Sequence, residues 1–167
     1  LPKFSLLASY TYVRSEFTDI NNTLIPSSWD SKNLFSLTAS KEFKNSWKTG
    51  LKWRFVGGLP YTPFDLETSA NVNAWNAKGG PYLDYSQLNA ERFSSFNQLD
   101  IRVDKYFFYD KWTLMLYLDI QNLLNFQAEG QDYVVRETNE DGTYKTINNG
   151  TEYVLDLIPN TSGTILP

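Results

Sequence analysis

The alternation of apolar and polar residues from Asn97 to Asn125 restricts the fold more tightly than any other stretch. Leu99, Ile101 and Val103 share one face of an extended chain, and Gln98, Asp100, Arg102 and Asp104 share the other, because successive side chains of a strand point to opposite sides. After a tight connection at Tyr109 to Lys111 the pattern returns. Trp112, Leu114, Leu116, Leu118 and Ile120 lie on one face, and Thr113, Met115, Tyr117, Asp119 and Gln121 on the other. A period of two along both arms predicts a β-hairpin with one apolar and one polar face.

The aromatic residues are distributed unevenly along this hairpin. Tyr106, Phe107, Phe108, Tyr109 and Trp112 crowd the turn, whereas the arms carry aliphatic residues. An outer-membrane β-barrel needs that arrangement, since amphipathic rings sit at the headgroup level and aliphatic side chains face the acyl chains. Phe, Trp and Tyr make up 16% of the chain. So many rings need a use, as membrane girdles, as stacking surfaces for a sugar-like ligand, or as a large core.

Taken in order, the chain repeats the theme. A first strand is expected from about Phe4 to Phe17, followed by a loop over residues 18–31 rich in Asp, Asn, Pro and Ser. A second strand runs from about Asn33 to Phe43. Lys44 to Ser46 make a tight turn flanked by Phe43 and Trp47, and a third strand covers Trp47 to Val56. The segment from Gly57 to about Phe96 reads as long and irregular, with Pro60, Pro63 and Gly79-Gly80-Pro81 as its punctuation. Beyond the hairpin, Tyr133 to Arg136 and Thr143 to Ile147 are expected to pair across an Asp141-Gly142 turn. Connections therefore alternate long and short, as in outer-membrane barrels, whose periplasmic turns are short and outer loops long. On this expectation strands one, three and five run outward.

Composition removes several function classes. The chain has no Cys and no His, so disulfides, thiolate chemistry and the commonest general base and metal ligand are missing. No nucleophile, base and orienting group come together in the sequence, and an enzyme is not expected. A net charge of −4 with no basic stripe argues against a nucleic-acid partner. Mean hydropathy is −0.42, which does not exclude a membrane, because a barrel strand crosses with about 10 alternating residues.

Two motifs carry a family resemblance. Leu99-Asp100-Ile101-Arg102-Val103-Asp104-Lys105, followed by a strand that closes in Asp119-Ile120-Gln121-Asn122-Leu123-Leu124-Asn125, resembles the penultimate hairpin of TonB-dependent outer-membrane receptors. Arg54-Phe55-Val56-Gly57-Gly58-Leu59-Pro60-Tyr61-Thr62-Pro63-Phe64-Asp65 is similar to a stretch after an earlier strand in receptors of Bacteroidota type. The resemblance implies an all-β fold, an antiparallel transmembrane β-barrel segment of about five strands in a barrel of about 22. Residues 1–167 would be its C-terminal portion, with the plug domain and the final strand absent. It further implies a receptor that imports a scarce nutrient such as a siderophore, glycan, peptide or vitamin, in the outer membrane of a Gram-negative cell. Its partners would be outer-membrane lipid, the rest of the barrel and plug, the TonB complex through the missing N-terminal part, and a surface lipoprotein. No cofactor is implied.

Candidate functional residues follow from the faces. Lys48, Lys52, Arg54, Asp100, Arg102, Asp104, Tyr117 and Asp119 are expected to face the lumen, where they would bind a ligand, dock a plug, or satisfy one another across strands. Trp75, Tyr82 and Tyr85 are candidates for ligand contact in an extracellular loop, or for packing that loop. Asn122 and Asn125 belong to the family-like rim, where short amides also cap turns. Two rival functions stand beside the receptor: a secreted or surface β-sandwich that binds glycans, and a plugless porin-like barrel.

Overall fold

A computed structural model describes residues 3–160. Five long strands are present: β1 Phe4–Val13, β2 Lys32–Glu42, β3 Trp47–Val56, β4 Phe96–Phe108 and β5 Thr113–Ile120. They form one antiparallel sheet in chain order, β1 to β5, with β1 and β5 as open edges. The fold is all-β and antiparallel, and among the described residues this sheet does not close. No described helix is long and apolar enough to cross a membrane.

Register follows from the alternation, because a slip of one residue would move every side chain to the wrong face. Leu99 pairs with Trp53, Ile101 with Leu51 and Val103 with Thr49 across β4 and β3. Leu37 opposes Trp53 and Ala39 opposes Leu51 across β2 and β3. Leu6 faces Ala39 across β1 and β2, and Ile101 faces Ile120 across β4 and β5. Leu6, Ala39, Leu51, Ile101 and Ile120 therefore form one apolar row that crosses all five strands. The opposite face carries the row Ser5, Ser40, Gly50, Arg102 and Asp119.

The chain divides into two units. Among the described residues the first comprises the sheet, over residues 3–14, 31–58 and 94–127; the second comprises residues 15–30, 59–93 and 128–160, the segments that connect β1 to β2, connect β3 to β4, and follow β5. The buried hydrophobic residues among those described, Trp75, Val134 and Tyr153, all belong to the second unit. Among the described residues the sheet has no buried hydrophobic core of its own. On β5, Leu116 and Leu118 are more than half exposed, and so are Leu6 and Leu7 on β1.

Several boundaries differ from the sequence expectation. The first strand ends at Val13, and Glu16–Thr18 pairs instead with Leu24–Pro26 in a separate small hairpin. The segment after Gly57 is not irregular. It holds short pairings of Pro60–Tyr61 with Glu91–Arg92 and of Phe64–Asp65 with Tyr82–Leu83, together with two helices, α1 Leu66–Ala70 and α2 Val72–Lys78. Each helix start has a cap: Asp65 accepts from the Thr68 amide at 2.9 Å and Asn71 from the Ala74 amide at 3.0 Å. Gly79, at φ +78°, ends α2 in the left-handed region where a side chain is disfavoured.

The hairpin expected from Tyr133–Arg136 and Thr143–Ile147 is corrected. Tyr133–Arg136 pairs with Leu155–Ile158, and Thr146–Ile147 with Glu152–Tyr153. The Asp141-Gly142 turn does form, closed by the Asn139 amide donating to the Thr143 carbonyl at 2.8 Å. Pairing with Leu155–Ile158 places Val134 in the core with Tyr153, which a local hairpin would not achieve. Leu166-Pro167 lies outside the described residues.

Candidate functional site

The polar face of the sheet brings together the residues expected to face a lumen. Asp100 lies opposite Lys52, Asp104 opposite Lys48 and Gln98 opposite Arg54. Asp119 lies opposite Arg102 and Tyr117 opposite Asp104. All eight candidates thus occupy one face, since each is separated from its neighbours by an even number of residues or by a direct cross-strand pairing.

These groups form two short networks. Arg54 donates to Gln98 Oε1 at 2.7 Å, Gln98 donates to Asp100 Oδ1 at 2.8 Å, and the same oxygen accepts the Asn122 backbone amide at 2.9 Å. Arg102 Nε donates to Asp104 Oδ1 at 2.7 Å, while its guanidinium lies 4.4 Å from the centre of the Tyr117 ring. Asp104 is buried, at 7% exposure, but Arg102 is partly open to solvent, which screens their pair. The Nε of Arg54 is buried without a hydrogen-bond partner among the described residues. Lys52 and Asp119 are exposed on this face. The networks leave a charged, half-wet surface that suits contact with polar ligands or with a packed domain more than it suits a sealed core.

The family-like rim is a closed turn. Asn122 is left-handed at φ 52°, accepts the Phe126 amide and donates to the Phe126 carbonyl, both at 2.9 Å. The Leu123 amide donates to the Leu99 carbonyl at 2.7 Å, which anchors the turn to β4. Asn125 is also left-handed, at φ 49°, and exposed.

The three loop aromatics separate. Trp75 is 7% exposed and packs edge-on to Tyr153 at 6.4 Å. The Arg136 guanidinium stands 5.2 Å from the Trp75 ring, 3.5 Å from Tyr144 and 5.0 Å from Tyr153. Trp75 is therefore a core residue of the second unit, and its removal would cost about 3–5 kcal/mol. Tyr82 is half-buried, its hydroxyl donating to the Ala74 carbonyl at 3.1 Å. Tyr85 alone of the three presents its ring to solvent, at 71% exposure. It borders a cleft of about 960 Å³ together with Phe17, Ile20, Ile25 and Leu88, residues that sequence reasoning had not singled out. Their signal was weak, because they are scattered through two loops.

Local hydrogen bonding lowers the pKa of three carboxyl groups in the second unit. The Thr68 hydroxyl and amide hold the Asp65 carboxyl below its ordinary range, and Ser86 and Gln87 do the same for Asp84. Thr143 lowers Asp141 in its turn. Burial pushes the Tyr61 hydroxyl up, helped by the negative charges of Glu91 and Asp132. Among the described residues no group of His, Cys, Asp or Glu is arranged to hold a metal ion. Comparison with protein families, with curated proteins and with solved structures returned no match.

Proposed function

We propose that this chain is part of the wall and outer loops of an outer-membrane β-barrel of TonB-dependent receptor type, which imports a scarce nutrient. One observation carries the proposal: an open five-stranded antiparallel sheet whose apolar face is continuous across all strands and which buries no hydrophobic residue of its own. In water such a face would need a second layer. In lipid it needs only more strands, because hydrocarbon satisfies the side chains and neighbouring strands satisfy the backbone.

The dimensions are close. Trp47 and Phe55 mark the two ends of the apolar face on β3, and eight residues at about 3.3 Å each separate them by about 26 Å along the strand, or about 20 Å of height at a tilt of about 40°. Outer-membrane barrels carry an apolar band about 25 Å tall between aromatic girdles. At one end stand Phe43, Trp47, Phe107, Tyr109 and Trp112, the last two stacked at 4.0 Å. At the other, Tyr10 donates to Asn33 Oδ1 at 2.8 Å and Trp53 Nε1 to Asn97 Oδ1 at 2.6 Å. Rings with an apolar body and a bonded polar tip are suited to the headgroup level.

The sandwich alternative needs a second sheet to cover the apolar face, and the other sheets among the described residues have two strands each. Cell fractionation tests the proposal. The protein is expected in detergent-extracted outer membranes, and recovery as a soluble monomer would overturn the assignment. Loss of uptake on removal of TonB would separate a gated receptor from an open porin.

A further inference from the structure

We propose that the short-turn end of the apolar face binds anionic phospholipid headgroups of the phosphatidylglycerol class through Lys41 and Lys105. The proposal rests on the membrane reading above and adds the chemistry of the lipid that the wall selects.

Register isolates these two residues. Lys41 shares its face with Phe35, Leu37 and Ala39 on β2, and Lys105 shares it with Leu99, Ile101 and Val103 on β4. No other charged residue lies on that face of the five strands. Both lie toward the short-turn end: Lys41 opposes Thr49, and Lys105 lies between Trp47 and Leu116. Chance placement of surface charge would mix signs and heights, whereas here both charges are positive and sit at the level of the rings.

Each ammonium is held by aromatic faces. Lys41 Nζ lies 5.1 Å from the centre of the Phe43 ring; Lys105 Nζ lies 5.2 Å from Trp47 and 5.3 Å from Phe107. Lys105 also donates to the Asn45 carbonyl in the turn. No carboxylate among the described residues forms an ion pair with Lys41, Lys44, Lys105 or Lys111. A ring restrains an ammonium without consuming its charge. Lysine stems lie along apolar surface and deliver the charge to the interface, where phosphodiester oxygens are the abundant acceptors.

Charge is partitioned in the same sense. The sheet unit has 11 Lys and Arg against 5 Asp and Glu, a formal +6, and the second unit has 4 against 14, a formal −10. A chain with net charge −4 thus keeps its positive charge on the membrane-facing unit.

The test reconstitutes the complete barrel that contains this sheet into vesicles of phosphatidylethanolamine and phosphatidylglycerol at a fixed ratio, re-extracts it gently, and measures the retained lipids. Phosphatidylglycerol is expected to be enriched over its bulk share. K41Q/K105Q is expected to return the ratio to bulk, a loss of roughly tenfold, while K41R/K105R keeps the enrichment. A wild-type protein that retains lipids at the bulk ratio, or a K41Q/K105Q variant that keeps the enrichment, overturns the lipid assignment alone. A complete barrel that enters neither these vesicles nor vesicles of phosphatidylethanolamine alone overturns the membrane reading itself.

Discussion

Leu118 and Tyr117 are neighbours on β5 and are equally exposed, at 61% each. Arginine at either position would therefore cost the same, about 0.5 kcal/mol or less, if both faces met water. A lipid-facing wall breaks that symmetry. Leu118 opposes Val103, in a row two residues, or about 7 Å along the strand, from the central row of Leu51 and Ile101. Arginine on the lipid face costs about 2–4 kcal/mol at the midplane and about 0–1 at the interface, so Leu118→Arg should cost about 2 kcal/mol, some 30-fold in the folded-to-unfolded ratio. Tyr117→Arg removes the ring that Arg102 covers but places a cation opposite Asp104, so its cost should stay under about 1 kcal/mol. A depth series sharpens the test. Leu116→Arg, in the row of Trp47 and Lys105, should cost about 1 kcal/mol or less, and Ile120→Arg, in the central row, about 2–4. Urea unfolding in bilayers, followed by tryptophan fluorescence, gives each value. Equal losses at 117 and 118, or a flat profile across 116, 118 and 120, would refute the facing of β5.

Gly57→Ala should destabilise the sheet by about 1–3 kcal/mol, since a Cβ there would stand 2.2 Å from the Ser31 carbonyl oxygen; the shift in urea midpoint measures it. Asp30→Ala should weaken the second unit by about 3 kcal/mol, because fully buried Asp30 pairs with Arg92 at 2.5 Å and accepts the Ser15 amide. Hydrogen exchange at that amide should accelerate accordingly. Acidification should fray α1. Folding lowers the Asp65 carboxyl, so its contribution is complete above the ordinary carboxylate range and is lost as pH falls through the lowered value. Exchange at residues 66–70 should rise at low pH in the wild type, and Asp65→Asn, which still caps, should remove that dependence.

The long strands were legible because half-wet sheets write their faces into the sequence. Leu99, Ile101 and Val103 share one face in the sequence, and the structure pairs them with Trp53, Leu51 and Thr49 of β3. The second unit was less legible for a physical reason. Its helices have 5 and 7 residues, too few to display a helical period, and the Pro and Gly around them read as loop. Their caps, Asp65, Asn71 and Gly79, were the available signal. Trp75 could be read as a ligand contact or as loop packing, and the residues that decide for packing, Val134 and Tyr153, come from far along the chain. Tyr133–Arg136 was assigned to the nearer partner, whereas the pairing that fills this core reaches to Leu155–Ile158.

The sheet has five strands, each antiparallel to the next, so its two edges, β1 and β5, run in the same direction. Copies of this chain joined edge to edge would set two such strands side by side in parallel, which breaks the pattern of a transmembrane barrel. Whatever completes an even-numbered antiparallel wall must therefore supply an odd number of strands, starting and finishing with strands of opposite sense to β1. On the barrel reading, parity therefore disfavours a ring of identical copies.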